Sequence, residues 1–92
     1  MSVLEELDRV VEERLRTMPE GSYTAHLASR GLEYVARKLG EEAVETIVAA
    51  LSEDGDRLAE EAADLLYTLT VLMRVRGMSI VDALEVLRGR MG

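Results

Sequence analysis

An all-α fold follows from three features of the sequence. Apolar residues recur at helical spacing along nearly the whole chain. One proline and few β-branched runs leave little to interrupt helices. With no Phe, no Trp and three Tyr, although 48% of the residues are apolar, the core has to be aliphatic, built from Leu, Val, Ile, Ala and Met. Ninety-two residues make one small domain, residues 1–92, near the size where a single core only just suffices. The expected architecture is four main helices per chain, with an antiparallel hairpin core completing a helical bundle in a homodimer.

The elements follow in order. Ser2 and Glu5 have the spacing of a capping box, so a first helix starts at about Val3. Its apolar positions Val3, Leu4, Leu7, Val10, Val11 and Leu15 oppose Glu6, Arg9, Glu13 and Arg16. Thr17 to Gly21 ends it, because Pro19 cannot continue the pattern. Ser22-Tyr23-Thr24 restarts the chain; taken alone, Ser22 is a helix cap and Tyr23 a half-buried aromatic. Gly31 separates a short helix from a long one over about Leu32 to Leu51. Ser52 to Asp56 is a turn signal, and the next long helix spans about Asp56 to Arg76, with Gly77 just past its end. Ser79 caps a last helix, to about Arg90, whose core side is Ile80, Ala83, Leu84 and Leu87. Apolar residues nearly encircle the Asp56–Arg76 helix over Leu65 to Val75, more than so short a chain can cover. A second copy is therefore expected, with the helices of the central hairpin forming the seam and Leu69 and Leu72 within it.

The hairpin carries two acidic clusters, Glu41, Glu42 and Glu45, then Glu60, Glu61 and Asp64, each reading E-E-x-x-acid. Helical residues turn by roughly 100° each, so each cluster occupies one face. Counting outward from Asp54, Glu45 lies nine residues along one arm, and Glu61 and Asp64 lie seven and ten along the other. In an antiparallel pair these three fall within about one turn of the same height. Crowded carboxylates are costly unless a cation neutralises them, and hard divalent cations take oxygen ligands together with substrate phosphate. The pattern points to a Mg²⁺ site for a phosphate-bearing ligand. The alternative is acids favouring the macrodipole of helix first turns, which accounts for Glu41, Glu42, Glu60 and Glu61. Glu45 and Asp64 fit that alternative less well, being expected deeper among Val44, Ile47, Val48, Leu65 and Leu66. Lys38 is placed to meet phosphate as a point charge, whereas Arg37 suits a solvated face. Gly40 costs ~1 kcal/mol relative to Ala inside a helix and implies a kink or a close helix approach.

Composition removes several function classes. Without cysteine there is no disulfide framework, thiolate metal site or cysteine nucleophile, and one histidine excludes multi-imidazole sites. A net charge of −7 argues against nucleic acid and anionic membranes as partners. The N-terminus lacks a signal-peptide pattern, and Leu65 to Met73 is too short to span a bilayer, so a soluble, cytoplasmic protein is expected.

The same residues resemble the E-E-x-x-E … E-x-x-D signature of the all-α nucleotide pyrophosphohydrolases. Within that superfamily, the chain is similar to the phosphoribosyl-ATP pyrophosphohydrolase family of histidine biosynthesis. The likeness rests on Ser22-Tyr23-Thr24 with Leu27, Lys38-Leu39-Gly40-Glu41-Glu42-Ala43 with Glu45, Glu61-Ala62-Ala63-Asp64-Leu65-Leu66-Tyr67, and Arg76-Gly77-Met78-Ser79 with its following helix. It departs at Thr68, where the family usually has His, and at His26, where Lys is common. The resemblance implies hydrolysis of phosphoribosyl-ATP to phosphoribosyl-AMP and pyrophosphate, with Mg²⁺ (or Mn²⁺ in its place) on Glu42, Glu45, Glu61 and Asp64. Lys38 would hold phosphate, Glu41 would be a further ligand or the general base, and Ser22, Tyr23 and Thr24 would contact substrate. The cyclohydrolase often fused to this activity is not expected, since zinc-type ligands are missing. Two other readings stand beside this one. The first is a house-cleaning nucleoside triphosphate pyrophosphohydrolase with the same metal chemistry. The second is a metal-free helical interaction module.

Overall fold

The computed structural model describes residues 2–52 and 54–92; Met1 and Glu53, the latter within the expected turn, lie outside the described residues. Among the described residues five helices follow one another: α1 (Val3–Thr17), α2 (Tyr23–Ser29), α3 (Leu32–Ser52), α4 (Gly55–Val75) and α5 (Ile80–Met91).

Local chemistry sets their ends. At α1 the capping box closes, Glu5 N–H donating to Ser2 Oγ at 3.2 Å and Ser2 N–H to the Glu5 carboxylate at 3.3 Å. Met18 ends α1 in the left-handed region (φ 46°), directly before Pro19. Ser22 caps α2 by accepting from Ala25 N–H, and Asp54 caps α4 by accepting from Arg57 N–H at 2.9 Å. A Schellman turn closes α4: Met78 N–H donates to Met73 O at 2.7 Å and Gly77 N–H to Arg74 O at 3.0 Å. Gly77 holds φ +88° there, which a side chain would resist.

The hairpin of α3 and α4 is the most extensive packing in the molecule. One end of it is wrapped. Val11 of α1, Leu27 of α2, Val35 of α3 and Val71 of α4 form the buried cluster, with Leu7, Leu15, Tyr34, Tyr67, Leu72 and Val75 packed around them. A polar lock ties three helices beside this cluster. Arg74 of α4 donates to both oxygens of Asp8 of α1, at 2.9 and 2.6 Å, and Ser79 donates to Asp8 Oδ2 at 2.8 Å from the cap of α5. Glu12 adds a second carboxylate to Arg74 at 3.1 Å. Burial alone would raise the Asp8 pKa, but the Arg74 and Ser79 hydrogen bonds and the guanidinium charge outweigh it and hold the group below the ordinary aspartate range.

The chain's own helices cover part of the apolar half of α4: Thr70 and Val71 are fully buried, and Leu72 and Val75 rest on the core, while Leu66 stays 44% exposed. A further uncovered apolar stripe lies on α3, the other arm of the hairpin. Val44, Ile47, Val48 and Leu51 follow i, i+3, i+4, i+7 and are all exposed, Leu51 to 83%. Gly40 needs neither explanation offered for it within one chain, since α3 runs through it unbroken and a Cβ built there meets nothing within 4 Å.

Candidate metal centre

The acidic clusters sit inside helices, not at their starts. The first-turn acids are Glu33 in α3 and Asp56 in α4, so the macrodipole accounts for none of Glu41, Glu42, Glu60 or Glu61. The hairpin carries Glu42, Glu45 and Glu61 into one group, each offering a carboxylate oxygen within 4.8 Å of the others. Thr46 braces it: its hydroxyl lies 2.8 Å from Glu42 O in its own helix and 3.2 Å from Glu61 O across the hairpin, pinning α3 to α4 at this level.

Burial of the four expected ligands is opposite to the expectation. Glu45 and Asp64 are exposed, while Glu42 and Glu61 are buried. The apolar residues around Glu45 do not close over it, since Val44, Ile47 and Val48 point outward from the hairpin's bare side. Asp64 lies one turn along α4 from Glu61, outside the three-carboxylate group, and Glu41 is exposed beside it.

Each buried glutamate is half satisfied. Lys38 Nζ lies 3.2 Å from Glu42 Oε1, and an Arg57 guanidinium nitrogen lies 2.7 Å from Glu61 Oε1. Glu42 Oε2 and Glu61 Oε2 are buried with no hydrogen-bond partner among the described residues. A buried polar atom without a partner costs about 1–3 kcal/mol, more when it is charged. Glu42 and Glu61, each with such an oxygen, share one group with Glu45, and carboxylate oxygens are the ligands a hard divalent cation takes, so the residues present fit Mg²⁺ or Mn²⁺.

Lys38 also lies 3.9 Å from Glu41, and its hydrogen bond to Glu42 raises its pKa, keeping it cationic at neutral pH. Arg57 repeats the arrangement on α4, 3.1 Å from Glu60 as well as bonded to Glu61. Sequence reasoning missed Arg57, although a signal exists. The 19-residue offset between Glu42 and Glu61 also relates Lys38 to Arg57, so Lys-Leu-Gly-Glu-Glu-Ala-Val-Glu aligns with Arg-Leu-Ala-Glu-Glu-Ala-Ala-Asp. Both helices thus present a cation four residues before the buried acid.

The Ser22–Thr24 segment divides by role. Ser22 is spent on the α2 cap, and Thr24 is buried and hydrogen-bonded to the Tyr67 hydroxyl. Tyr23 is the member with an open ring, 6.1 Å from that of Tyr67 and within electrostatic reach of Lys38 and Glu42. Burial of its inner part raises its pKa against the opposing pull of Lys38, leaving a neutral phenol as a donor. His26 is exposed, and Thr68 is buried in α4. Among the described residues no helix is long and apolar enough to cross a membrane.

Comparison with known proteins gives a consistent result. The profile of the phosphoribosyl-ATP pyrophosphohydrolase family matches residues 4–90. A phosphoribosyl-ATP pyrophosphatase of Metallosphaera sedula is 56% identical over 89 residues, covering 97% of this chain and 96% of that protein. One from Pyrobaculum calidifontis is 53% identical over 89 residues, covering 97% and 95%. The histidine biosynthesis bifunctional protein HisIE of Bacillus subtilis is 47% identical over 88 residues, covering 96% of this chain and 42% of that protein.

Proposed function

This chain belongs to the phosphoribosyl-ATP pyrophosphohydrolase family, and we propose that it hydrolyses phosphoribosyl-ATP to phosphoribosyl-AMP and pyrophosphate in histidine biosynthesis, with a divalent cation. The observation that carries the metal part is the pair of buried, partnerless oxygens on Glu42 and Glu61 beside Glu45. These three residues would hold Mg²⁺, or Mn²⁺ in its place, with Asp64 as a fourth ligand from the next turn of α4. When bound, the cation withdraws charge from the triphosphate and eases departure of pyrophosphate.

The chain's own residues do the rest. Lys38 sits at the rim, 30% exposed, and gives the phosphate oxygens a fixed positive charge. Glu41 faces water with its side chain 57% exposed, outside the buried group, and in this reading takes the proton from the attacking water. That water forms a P–O bond as the α–β bridging bond breaks, and the electron pair leaves with pyrophosphate. Tyr23 offers an open ring and a neutral hydroxyl at the edge of the site. Pyrophosphate release from phosphoribosyl-ATP, measured with Mg²⁺ and with excess chelator, tests the whole. Mg²⁺-dependent release is expected, and faster turnover of ordinary nucleoside triphosphates would favour the house-cleaning reading.

The apolar stripe of α3 supports a homodimer as the working unit. The radius of gyration, 13.9 Å, exceeds the ~12 Å of a compact chain of this length, as a hairpin projecting beyond its own core requires. A second copy laid along Val44, Ile47, Val48 and Leu51 would complete a four-helix bundle. Ile47→Glu is expected to yield monomers by light scattering, and an unchanged dimer in that variant would exclude this seam.

A further inference from the structure

Arg30 and Arg37 both set a guanidinium against the ring of Tyr34, 4.6 and 5.6 Å from its centroid. The ring is anchored, because Tyr34 packs on the buried Val11–Leu27–Val35–Val71 cluster. Among the described residues neither arginine is in an ion pair. With Glu33 these residues line an open concavity of about 490 Å³. Arg37 also borders the next concavity along α3, shared with Gly40, Glu41, Val44 and Glu45, so the two adjoin. Tyr34, Glu41 and Glu45 recur at i, i+7 and i+11, on one face of α3. At ~1.5 Å per residue, Tyr34 lies roughly 16 Å along the helix from Glu45 of the metal centre.

We propose that Arg30, Tyr34 and Arg37 form a second phosphate subsite, which takes the monophosphate on the ribosyl group of the substrate while its triphosphate lies at Glu42, Glu45 and Glu61. The inference rests on the function proposed above. Two cations held over one ring repel each other, and a phosphate monoester, close to a dianion at neutral pH, removes that repulsion by binding both. The planar guanidinium fork matches phosphate oxygens two at a time, and stacking on Tyr34 fixes its plane. Glu33 leaves the concavity with two cations against one anion and gives ribose hydroxyls an acceptor. A nucleoside triphosphate has no phosphate to place there, so the subsite separates the two substrate classes.

The test uses the full-length protein with Mg²⁺ and the R30Q/R37Q double variant, whose side chains are on the surface and leave the helical spectrum unchanged. KM for phosphoribosyl-ATP is expected to rise at least ~10-fold with kcat within about threefold, as loss of charge-assisted contacts to a distant group requires. Competitive inhibition by ribose 5-phosphate should weaken in parallel, while ATP hydrolysis, where measurable, keeps its KM. R37K, which keeps the charge without the planar fork, should fall between wild type and R37Q. Arg16→Gln, which removes one positive charge from the exposed face of α1 as R37Q does from α3, is the control and should leave KM within about twofold. A double variant with unchanged KM would overturn the subsite and leave the proposed function standing. A wild-type protein releasing no pyrophosphate from phosphoribosyl-ATP would overturn that function, and the subsite with it.

Discussion

The molecule buries carboxylates in two places, and they are finished differently. Asp8 receives hydrogen bonds on both oxygens, from Arg74 and Ser79, and joins three helices. Glu42 and Glu61 each receive a cation on one oxygen and nothing on the other. The first arrangement shows that this small fold can satisfy a buried acid completely. The second therefore needs a reason outside the chain, since native proteins leave few buried polar atoms without partners. The comparison separates a carboxylate that holds the fold together from carboxylates that, in the function proposed above, hold a cation.

Substitutions at each place should break the comparison in opposite directions. The largest effect is expected on turnover at the unfinished site. Glu42→Gln or Glu61→Gln should lower pyrophosphate release by more than ~100-fold, beyond the range typical of outer-shell metal residues. Urea unfolding of the metal-free variants should show equal or greater stability than wild type, because a buried charge is removed. Asp64→Asn, at an exposed position, should cost activity at least ~10-fold if it supplies the fourth ligand, and near-normal rates would remove it from the set.

At the finished site the loss falls on folding. Asp8→Ala leaves Arg74 partly buried without its main partner, which typically costs ~3–5 kcal/mol, a large share of the ~5–15 kcal/mol that stabilises a domain. Chemical denaturation would read it, with kcat per folded molecule unchanged. The same lock sets an acid limit. The folded-state pKa of Asp8 is depressed, so its contribution is complete above the unfolded value of ~3.9 and is lost as pH falls through the folded value. Wild type should therefore lose more stability than Asp8→Asn on acidification below about pH 4, and parallel pH profiles would exclude the lock as the cause.

Smaller effects sharpen the contrast. Gly40→Ala should stabilise the metal-free chain by ~1 kcal/mol, since the position is helical and open. A melting temperature that falls instead would show that another backbone approaches there. Glu13→Gln, on the exposed face of α1, should change neither stability by more than about 0.5 kcal/mol nor activity.

Helix boundaries were legible in the sequence because capping is local. Ser2 with Glu5, Ser79, Gly77 and Pro19 place their ends to within a residue or two. The acidic group was legible in part: spacing around the turn brought Glu45 and Glu61 to one height, but it added Asp64, whereas the third member is Glu42. What spacing does not determine is the rotation of α3 against α4, and that rotation buries Glu42 and Glu61 while leaving Glu45 and Asp64 outside. It also leaves Val44, Ile47, Val48 and Leu51 of α3 bare, a stripe that the apolar run of α4 overshadowed in the sequence. Asp8 and Arg74 escaped notice for a related reason. Asp8 shares a face with Leu4, Val11 and Leu15, an acid on an apolar stripe, and its partner lies 66 residues away. Ser22 and Thr24 show how far a resemblance carries: it marks the segment, while the fold assigns one to a cap, one to Tyr67 and leaves Tyr23 open.

The central claim is that Glu42 and Glu61 are incomplete because a divalent cation completes them. Calorimetric titration of the chelator-treated protein with Mn²⁺ and with Mg²⁺, for wild type and for a Glu42→Gln/Glu61→Gln variant, tests this most directly. Saturable binding in wild type, at least ~10-fold weaker or lost in the variant while its helical spectrum is retained, is the expected result. Indistinguishable titrations for the two proteins, or no saturable binding in wild type, would contradict the account.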